Sequence, residues 1–301
     1  MRLITRSDFD GLACGTLLEH MGLIDGWLFV HPKDIQDGLI EVTENDIIAN
    51  VPYVKGCGLW FDHHSSEEER LGGGVKFEGA SKKAASCARV IYDYYGGDQK
   101  LGKFAEMVKY VDKMDSADLT IDEIMNPKGW VLLGFIADPR TGLGRIRNFT
   151  ISNFDLMKNL AKGALGNSID EILEMPDVKE RINVYFEQNE LFINMVKKHA
   201  KIEGNAICLD LRGMDVMPAG NRFLLYTLFP DQNISVWVVD GKKKVNSVIT
   251  VGYSIINKTA TVDVGSLMLK YGGGGHSVVG TCQIACEDAD RVIAEVIAAI
   301  R

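Results

Sequence analysis

Two carboxylates stand close together near the start of the chain, in the string Asp8-Phe9-Asp10-Gly11 that follows a short apolar run. Residues two apart project from the same side of an extended chain, so both carboxylates face one region. They repel one another unless they share a cation, which favours a divalent metal ion. The same string is also typical of a turn and a helix cap, so by itself it leaves both interpretations open.

A second polar string, Asp62-His63-His64, follows the apolar run 58–61. Neutral imidazole is a common ligand of transition metals, and a neighbouring carboxylate can orient the ring or bind the ion itself. A single histidine is most often structural. Three such residues in a row at the end of an apolar strand favour a metal or catalytic site.

Four consecutive glycines, Gly272 to Gly275, precede His276. Glycines leave backbone N–H groups uncovered and adopt unusual dihedral angles, which suits a close approach to phosphate. His276 adds a hydrogen-bond donor or a cation. The alternative is a flexible connector, but ordering four glycines costs conformational entropy, which favours a binding function.

The elements that position these residues follow from the hydrophobic pattern. The first hundred residues alternate short β-type runs with helical segments, which predicts a mostly parallel sheet flanked by helices. Ligands bind beyond the carboxyl ends of the strands in such sheets, where the two acidic strings lie. The predicted strands are Arg2–Arg6, Gly26–His31, Asp46–Asn50 and Gly58–Asp62, and the predicted helices are Gly11–Met21, Ala84–Tyr95, Lys103–Met114 and Trp130–Ala137.

A second, smaller α/β domain with a mixed sheet is predicted after a long helix, Val178–His199. We place the boundary near residue 200, so that residues 1–200 carry the acidic strings and residues 201–301 carry the glycine string. The strands predicted for this domain are Asn205–Leu211, Ile234–Val239, Val245–Ser254 and Gly280–Cys286, and its helices are Gly220–Leu228, Asp263–Tyr271 and Asp288–Ile300.

Composition narrows the classes of function. The chain has 301 residues, of which 46% are hydrophobic, and a formal net charge of -8. The acidic balance argues against a groove for long nucleic acid, which needs a basic stripe, and leaves small anionic substrates. No apolar run approaches the roughly 20 residues of a membrane span, and the first residues resemble no signal peptide, so we predict a cytoplasmic protein without membrane contact.

In their order and spacing, the three strings resemble the motifs of the DHH phosphoesterase superfamily, and the resemblance covers essentially the whole chain. Residues 62–64 look like the motif that names the family, residues 8–11 like its first motif, and residues 272–276 like the signature of its associated C-terminal domain. Segments 112–118 and 138–145 resemble the exopolyphosphatase-related branch.

The resemblance implies a metal-dependent hydrolase. Oxygen ligands with one imidazole suit Mn(II), our first choice, or Mg(II). The metal ligands that the resemblance implies are Asp8, Asp10, His63 and one late aspartate, with Asp112 as the first candidate and Asp115 as the second.

The resemblance also implies roles around the metal site. Asp62 would support the site, and His64 would lie near the scissile phosphate. The residues implied to hold the phosphate or terminal nucleotide of the substrate are Gly273, Gly274, Gly275 and His276.

Two positions depart from the pattern of the family. Ile4 stands where members with two metal ions have histidine, and Asn50 is the best match to a bridging aspartate, so either one or two ions are expected. Arg6 shares one face of the first strand with Asp8. Its guanidinium either supplies positive charge where an ion is missing, which makes Arg6 a further catalytic candidate, or forms an ordinary ion pair.

The predicted function is hydrolysis of a phosphodiester or phosphoanhydride bond in a small substrate: a short oligonucleotide, pAp, a cyclic dinucleotide or short polyphosphate. The alternative is a nucleotide-binding or regulatory protein in which an incomplete metal site has weakened catalysis. The true substrate and the formation of a homodimer are left open.

Overall fold

The computed structural model describes residues 1–64, 67, 70–72 and 74–301. The chain divides into two compact units, the first formed by Met1–Leu119 and Pro127–Val184, and the second by Thr120–Asn126 and Tyr185–Arg301. The domain boundary near residue 200 stays a prediction.

The first unit is built on a parallel sheet of five strands with the order β2-β1-β3-β4-β5. The predicted parallel sheet is therefore confirmed. The strands are β1 (Arg2–Thr5), β2 (Gly26–Phe29), β3 (Asp46–Ala49), β4 (Leu59–Asp62) and β5 (Gly79–Ser81). The sequence did not predict β5, because its three small residues carry no apolar pattern.

Helices flank this sheet, and further helices belong to the second unit. In chain order, the helices are α1 (Phe9–His20), α2 (Pro32–Gln36), α3 (Cys87–Tyr94), α4 (Asp98–Leu101), α5 (Ala105–Asp115), α6 (Ile121–Met125), α7 (Gly129–Ala137), α8 (Asn153–Ala164), α9 (Ile169–Leu173), α10 (Pro176–His199), α11 (Leu224–Leu228), α12 (Val264–Leu269) and α13 (Ala289–Ile300). The predicted long helix is present as α10.

Helix α3 begins three residues later than the sequence predicted. The side chain of Ser86 accepts a hydrogen bond from the backbone N–H of Arg89 at 3.0 Å, which makes Ser86 the N-cap. A capping hydroxyl replaces a missing intrahelical partner, so the helix starts directly after it. The exact start matters because the first N–H groups of α3 reach the candidate site.

The second unit contains a mixed sheet of six strands with the order β10-β11-β9-β8-β7-β6, in which only the β7–β8 pair is parallel among the described residues. The predicted mixed sheet is confirmed. Its strands are β6 (Ala200–Glu203), β7 (Ala206–Asp210), β8 (Ile234–Asp240), β9 (Ser247–Tyr253), β10 (Gly274–His276) and β11 (Val279–Ile284). The two edge strands, β6 and β10, were not predicted.

Among the described residues, no helix combines the length and the apolar character that a membrane crossing requires. The cytoplasmic location stays a prediction from the sequence.

Candidate active site

The first acidic string caps helix α1. The Asp8 carboxylate accepts a hydrogen bond from the backbone N–H of Gly11 at 2.9 Å, so the helix-cap interpretation of the string is correct. A Cβ atom at Gly11 would lie 2.0 Å from the Arg6 carbonyl oxygen, so only glycine allows this close approach. Capping by Asp8 does not exclude a chemical role for the string, because Asp10 has different partners.

Asp10 is 2% exposed and is held by the start of α3. Its Oδ2 accepts from the backbone N–H of Cys87 at 2.9 Å, and its Oδ1 accepts from that of Ala88 at 2.8 Å. N–H groups at a helix start have no partner within the helix and favour negative charge. Oδ1 also accepts from Cys14 Sγ at 3.8 Å, whereas Oδ2 retains a lone pair that these donors do not use.

His63 follows β4 and faces Asp10. Its Nδ1 lies 3.3 Å from the carbonyl oxygen of Ala84, and its Nε2 lies 3.7 Å from Asp10 Oδ2 and 3.3 Å from Asp115 Oδ2. Because a carbonyl only accepts, Nδ1 carries the ring proton and Nε2 keeps its lone pair. Burial lowers the pKa of His63, against the opposing charge of Asp115, so the ring is suited to act as a neutral ligand.

The structure brings Asp115, and not Asp112, to this cluster. Asp10, His63 and Asp115 each offer one ligand atom, and the three atoms lie within 4.8 Å of one another. The Asp112 carboxylate instead accepts from Ser86 Oγ at 2.7 Å and from Arg89 Nη2 at 2.7 Å. The two aspartates are three residues apart near the end of α5, and the tertiary contacts of Asp112 separate their environments.

The carboxylates of the cluster repel one another. Burial raises the pKa of Asp10 well above its ordinary value, and the charges of Asp115 and Asp8 raise it further. Burial also raises the pKa of Asp115, with the charge of His63 acting in the opposite direction. A cation among these groups would favour their ionised forms.

Asp62 and His64 form a second pair beside the cluster. Asp62 is fully buried at the end of β4, and its Oδ1 lies 2.9 Å from Nδ1 of His64. Burial opposes protonation of His64, but the hydrogen bond and the charge of Asp62 raise its pKa overall. This contact orients the ring through Nδ1 and does not involve Nε2 of His64.

Arg6 and Asn50 both contact Asp8. Arg6 Nε lies 3.1 Å from Asp8 Oδ2, and the Asn50 side-chain amide donates to Asp8 Oδ1 at 3.2 Å. Ile4 is fully buried in the core and takes no part in the site. The predicted proximity of Arg6 to the aspartates is therefore present in the structure.

The residues present fit a divalent ion. Nε2 of His63 is buried without a hydrogen-bond partner among the described residues, although a buried polar atom ordinarily has one. Two carboxylate oxygens face it. One imidazole nitrogen with carboxylate oxygens is a ligand set suited to Mn(II) or Mg(II).

Sequence reasoning missed two contributors to the site. One is the pair of backbone N–H groups that hold Asp10, for which Ser86 as a helix cap was the available signal. The other is Arg140, whose Nε lies 2.8 Å from Asp138 Oδ1 and whose charge acts on both Asp8 and Asp115. The sequence pointed to the segment around Arg140 only through the resemblance of residues 138–145 to the exopolyphosphatase-related branch.

The glycine string of the second unit forms a turn and the strand β10. The N–H groups of Gly272 and Gly273 donate to the carbonyl oxygens of Leu269 and Met268, each at 3.0 Å. The prediction of uncovered N–H groups is therefore wrong at these two positions. These two hydrogen bonds continue helix α12 into a tight turn and occupy the N–H groups of both glycines.

Two of the glycines are required by packing against β11. A Cβ atom would lie 2.1 Å from the Thr281 carbonyl oxygen at Gly273, and 2.3 Å from the Val279 carbonyl oxygen at Gly275. A Cβ atom at Gly274 would meet open space, and His276 is exposed. A Cβ atom at Gly272 would likewise meet open space, and Gly272, Gly275 and His276 are exposed, so the string is open to solvent at several positions.

No family model and no curated protein matches the chain. Among solved structures, the pGpG-specific phosphodiesterase PggH from Vibrio cholerae is similar to it, with a TM-score of 0.85 and 46% sequence identity over 99% of this chain and 98% of that one. The chain belongs to the DHH phosphoesterase superfamily. The predicted function, a phosphoesterase that acts on a small substrate, is confirmed by this full-length similarity.

More distant likenesses include RecJ from Thermus thermophilus in complex with Mn2+ and in complex with Mg2+. The identities are 14% and 15%, and the TM-scores are 0.44 and 0.47. Each match covers 99% of this chain and about half of the other chain, namely 51% and 49%. Likenesses this low do not bear on activity or on the metal.

Proposed function

We propose that this chain hydrolyses the phosphodiester bond of the linear dinucleotide pGpG and that it depends on Mn(II), with Mg(II) as the alternative ion. The observation that supports this proposal is the 46% identity to a pGpG-specific phosphodiesterase over nearly the full length of both chains. The cluster of Asp10, His63 and Asp115 supports the metal dependence, because its atoms lie close enough to share an ion.

Asp10, His63 and Asp115 would hold the ion. When bound, such an ion supplies Lewis-acid activation of a water nucleophile and neutralises charge on the phosphate oxygens. The chain itself sets up this chemistry: the start of α3 orients Asp10, and Ala84 directs Nε2 of His63 toward the carboxylates.

His64 would act on the leaving group. Its Nδ1 is engaged by Asp62, which fixes the ring orientation and leaves Nε2 to donate a proton to the departing oxygen. Asp62 is a positioning residue in this scheme, since its carboxylate lies behind the ring. Arg6 would contact a phosphate oxygen, because its guanidinium is partly exposed beside Asp8.

In the second unit, the residues proposed to bind the phosphate or terminal nucleotide of the substrate are Gly273, Gly274, Gly275 and His276. The exposed imidazole of His276 and the open space at Gly274 support direct contact for these two. Gly273 and Gly275 would act by allowing the turn and strand to pack closely on β11.

A substrate panel tests the proposal. The purified protein is stripped of metal, supplied with Mn(II), and assayed on pGpG, pAp, a longer oligonucleotide, a cyclic dinucleotide and short polyphosphate. We expect hydrolysis of pGpG with the highest kcat/KM and its loss on chelation. Tight binding of pGpG without turnover would instead support the alternative of a regulatory nucleotide-binding protein.

Substitution of His276 should weaken substrate binding more than it weakens the chemical step. Loss of one positioning contact is worth about 1–2 kcal/mol, so we expect His276→Ala to raise KM for pGpG about tenfold with a smaller change in kcat. The control is His199→Ala in the same unit, which should change neither constant. A fall in kcat alone, with KM unchanged, would contradict the proposed binding role.

A further inference from the structure

The hydrogen bonds of Asp8 set it apart from the other carboxylates of the site. Its Oδ1 accepts from the Gly11 N–H at 2.9 Å and from the Asn50 amide at 3.2 Å, which uses both lone pairs of that oxygen. Its Oδ2 faces Arg6 Nε at 3.1 Å. Asp8 therefore already has three N–H donors, whereas Asp10 has one backbone donor on each oxygen and faces the unpartnered Nε2 of His63.

Arg6 is placed as a fixed cation rather than as a surface residue. It directly follows β1 at the carboxyl edge of the sheet, and its side chain is 30% exposed. Only Nε contacts Asp8, and among the described residues the terminal nitrogens of the guanidinium have no hydrogen bond or ion pair. Two parallel N–H groups of this kind match the spacing of phosphate oxygens.

Asn50 holds this arrangement in place. It is 2% exposed directly after β3, and its φ angle of 59° is in the left-handed region, which asparagine adopts more readily than most residues other than glycine. With this backbone conformation the amide reaches Asp8. The Asn50 Oδ1 atom has no partner among the described residues.

We infer that this centre holds a single divalent ion, at Asp10, His63 and Asp115, and that Arg6 supplies the other positive charge and binds a phosphate oxygen of the substrate. Asp8 and Asn50 position Arg6 and are not ion ligands. This inference rests on the proposed function in one respect only, namely that the substrate contains a phosphodiester group.

The charges of the site agree with one ion. The site contains three carboxylates, those of Asp8, Asp10 and Asp115, and the guanidinium of Arg6, which pairs with Asp8, so one divalent ion makes the group neutral. A second divalent ion would leave two positive charges in excess at this poorly solvated site, where uncompensated charge is costly in free energy. Arg140 does not change this balance, because Asp138 pairs with it.

The number of ions can be measured without any substrate. Metal-stripped protein is titrated with Mn(II) by calorimetry, and the loaded protein is examined by electron paramagnetic resonance. We expect one Mn(II) per chain and the spectrum of an isolated ion at all metal ratios. Two sites of comparable affinity, or a spectrum of two coupled ions, would overturn the inference even if pGpG is the substrate.

Arg6→Ala tests the role of the guanidinium on a generic phosphodiester, bis-p-nitrophenyl phosphate. Removal of a donor aimed at phosphate charge should lower kcat/KM about 100-fold, while the Kd for Mn(II) stays within about threefold. Added guanidinium chloride should restore part of the activity. The control is Arg2→Ala, which removes the ion pair with Asp46 at the other end of the same strand and should leave kcat/KM unchanged.

Two outcomes of this experiment would count against the role of Arg6. One is an Arg6→Ala variant with full activity, and the other is a variant in which activity falls only as far as Mn(II) binding falls. Failure of the wild-type protein to hydrolyse pGpG would refute the proposed function but would leave the metal count and the Arg6 result intact.

Asn50→Asp provides the converse test. A carboxylate in place of the amide would face Asp8 at close to the present 3.2 Å and would add one negative charge. We expect the metal-free variant to be less stable than the wild type and a second Mn(II) to bind. Retention of one Mn(II) per chain, with unchanged stability, would show that charge balance does not determine the number of ions.

Discussion

His63→Ala should abolish metal-dependent hydrolysis while leaving the fold intact. The variant loses the one imidazole ligand, whose Nε2 is buried without a partner among the described residues and lies beside two carboxylates. Lewis-acid stabilisation by a bound ion is worth several kcal/mol, so we expect kcat/KM for pGpG to fall about 1000-fold. Hydrolysis and calorimetric Mn(II) binding are measured on the same preparation.

His31→Ala is the matched control, because His31 is exposed, lies outside the cluster and, like His63, has one ring hydrogen bond to the backbone, from the N–H of Lys33 at 3.2 Å. Both variants should unfold at temperatures close to that of the wild type, since the hydrogen bond from His63 to the Ala84 carbonyl oxygen is long, at 3.3 Å. If His63→Ala lost activity only in proportion to its unfolded fraction, His63 would be a structural residue and the metal site would lie elsewhere.

Asp115→Asn should weaken metal binding, whereas Asp112→Asn should mainly lower the stability of the fold. Even residues behind a metal ligand change affinity by about 10–100-fold, so loss of the Asp115 ligand should weaken Mn(II) binding at least that much. Asp112→Asn should leave Mn(II) binding nearly unchanged, because its carboxylate is engaged by Ser86 and Arg89. It should lower the free energy of unfolding by about 1 kcal/mol, since the lost ion pair is partly exposed.

Equilibrium denaturation and Mn(II) titration of both variants decide between these aspartates. Each variant replaces one carboxylate by an amide of the same size on the same helix, so each serves as the control for the other. A larger loss of Mn(II) affinity in Asp112→Asn would show that the side chains rearrange when the ion binds, and that the late ligand is Asp112.

The second acidic string illustrates how much a local pattern can predict. An apolar run that ends in Asp62-His63-His64 predicted both the strand β4 and polar residues at its carboxyl end, because strand alternation and the edge of a parallel sheet are local and topological rules. The different roles of the two histidines could not be predicted from the string and are visible only in the structure. Ala84 orients one ring and Asp62 the other, so that the two adjacent histidines have different surroundings at their free nitrogens.

The two late aspartates show where sequence reasoning stopped. Asp112 and Asp115 lie on one helix three residues apart, and helical periodicity places both on roughly the same face. Their roles separate because Arg89 and Ser86, from another helix and its cap, engage Asp112. Contacts between residues distant in the chain are not encoded in local spacing.

The hydrophobic pattern and the motifs of the chain predicted the superfamily, the parallel and mixed sheets, and a set of residues that includes the candidate metal ligands. These features depend on hydrophobic period and on motif order, both of which are present in the linear chain. Which oxygen of each carboxylate is engaged by a hydrogen bond depends on tertiary contacts that the local pattern does not contain. Asp8 and Asp10 are two residues apart and share one motif, yet Asp8 is engaged by Arg6 and Asn50 while Asp10 faces His63. The physical reason is that a lone pair is either used by a hydrogen bond or left for an ion, and the donors that use it come from other elements of the fold.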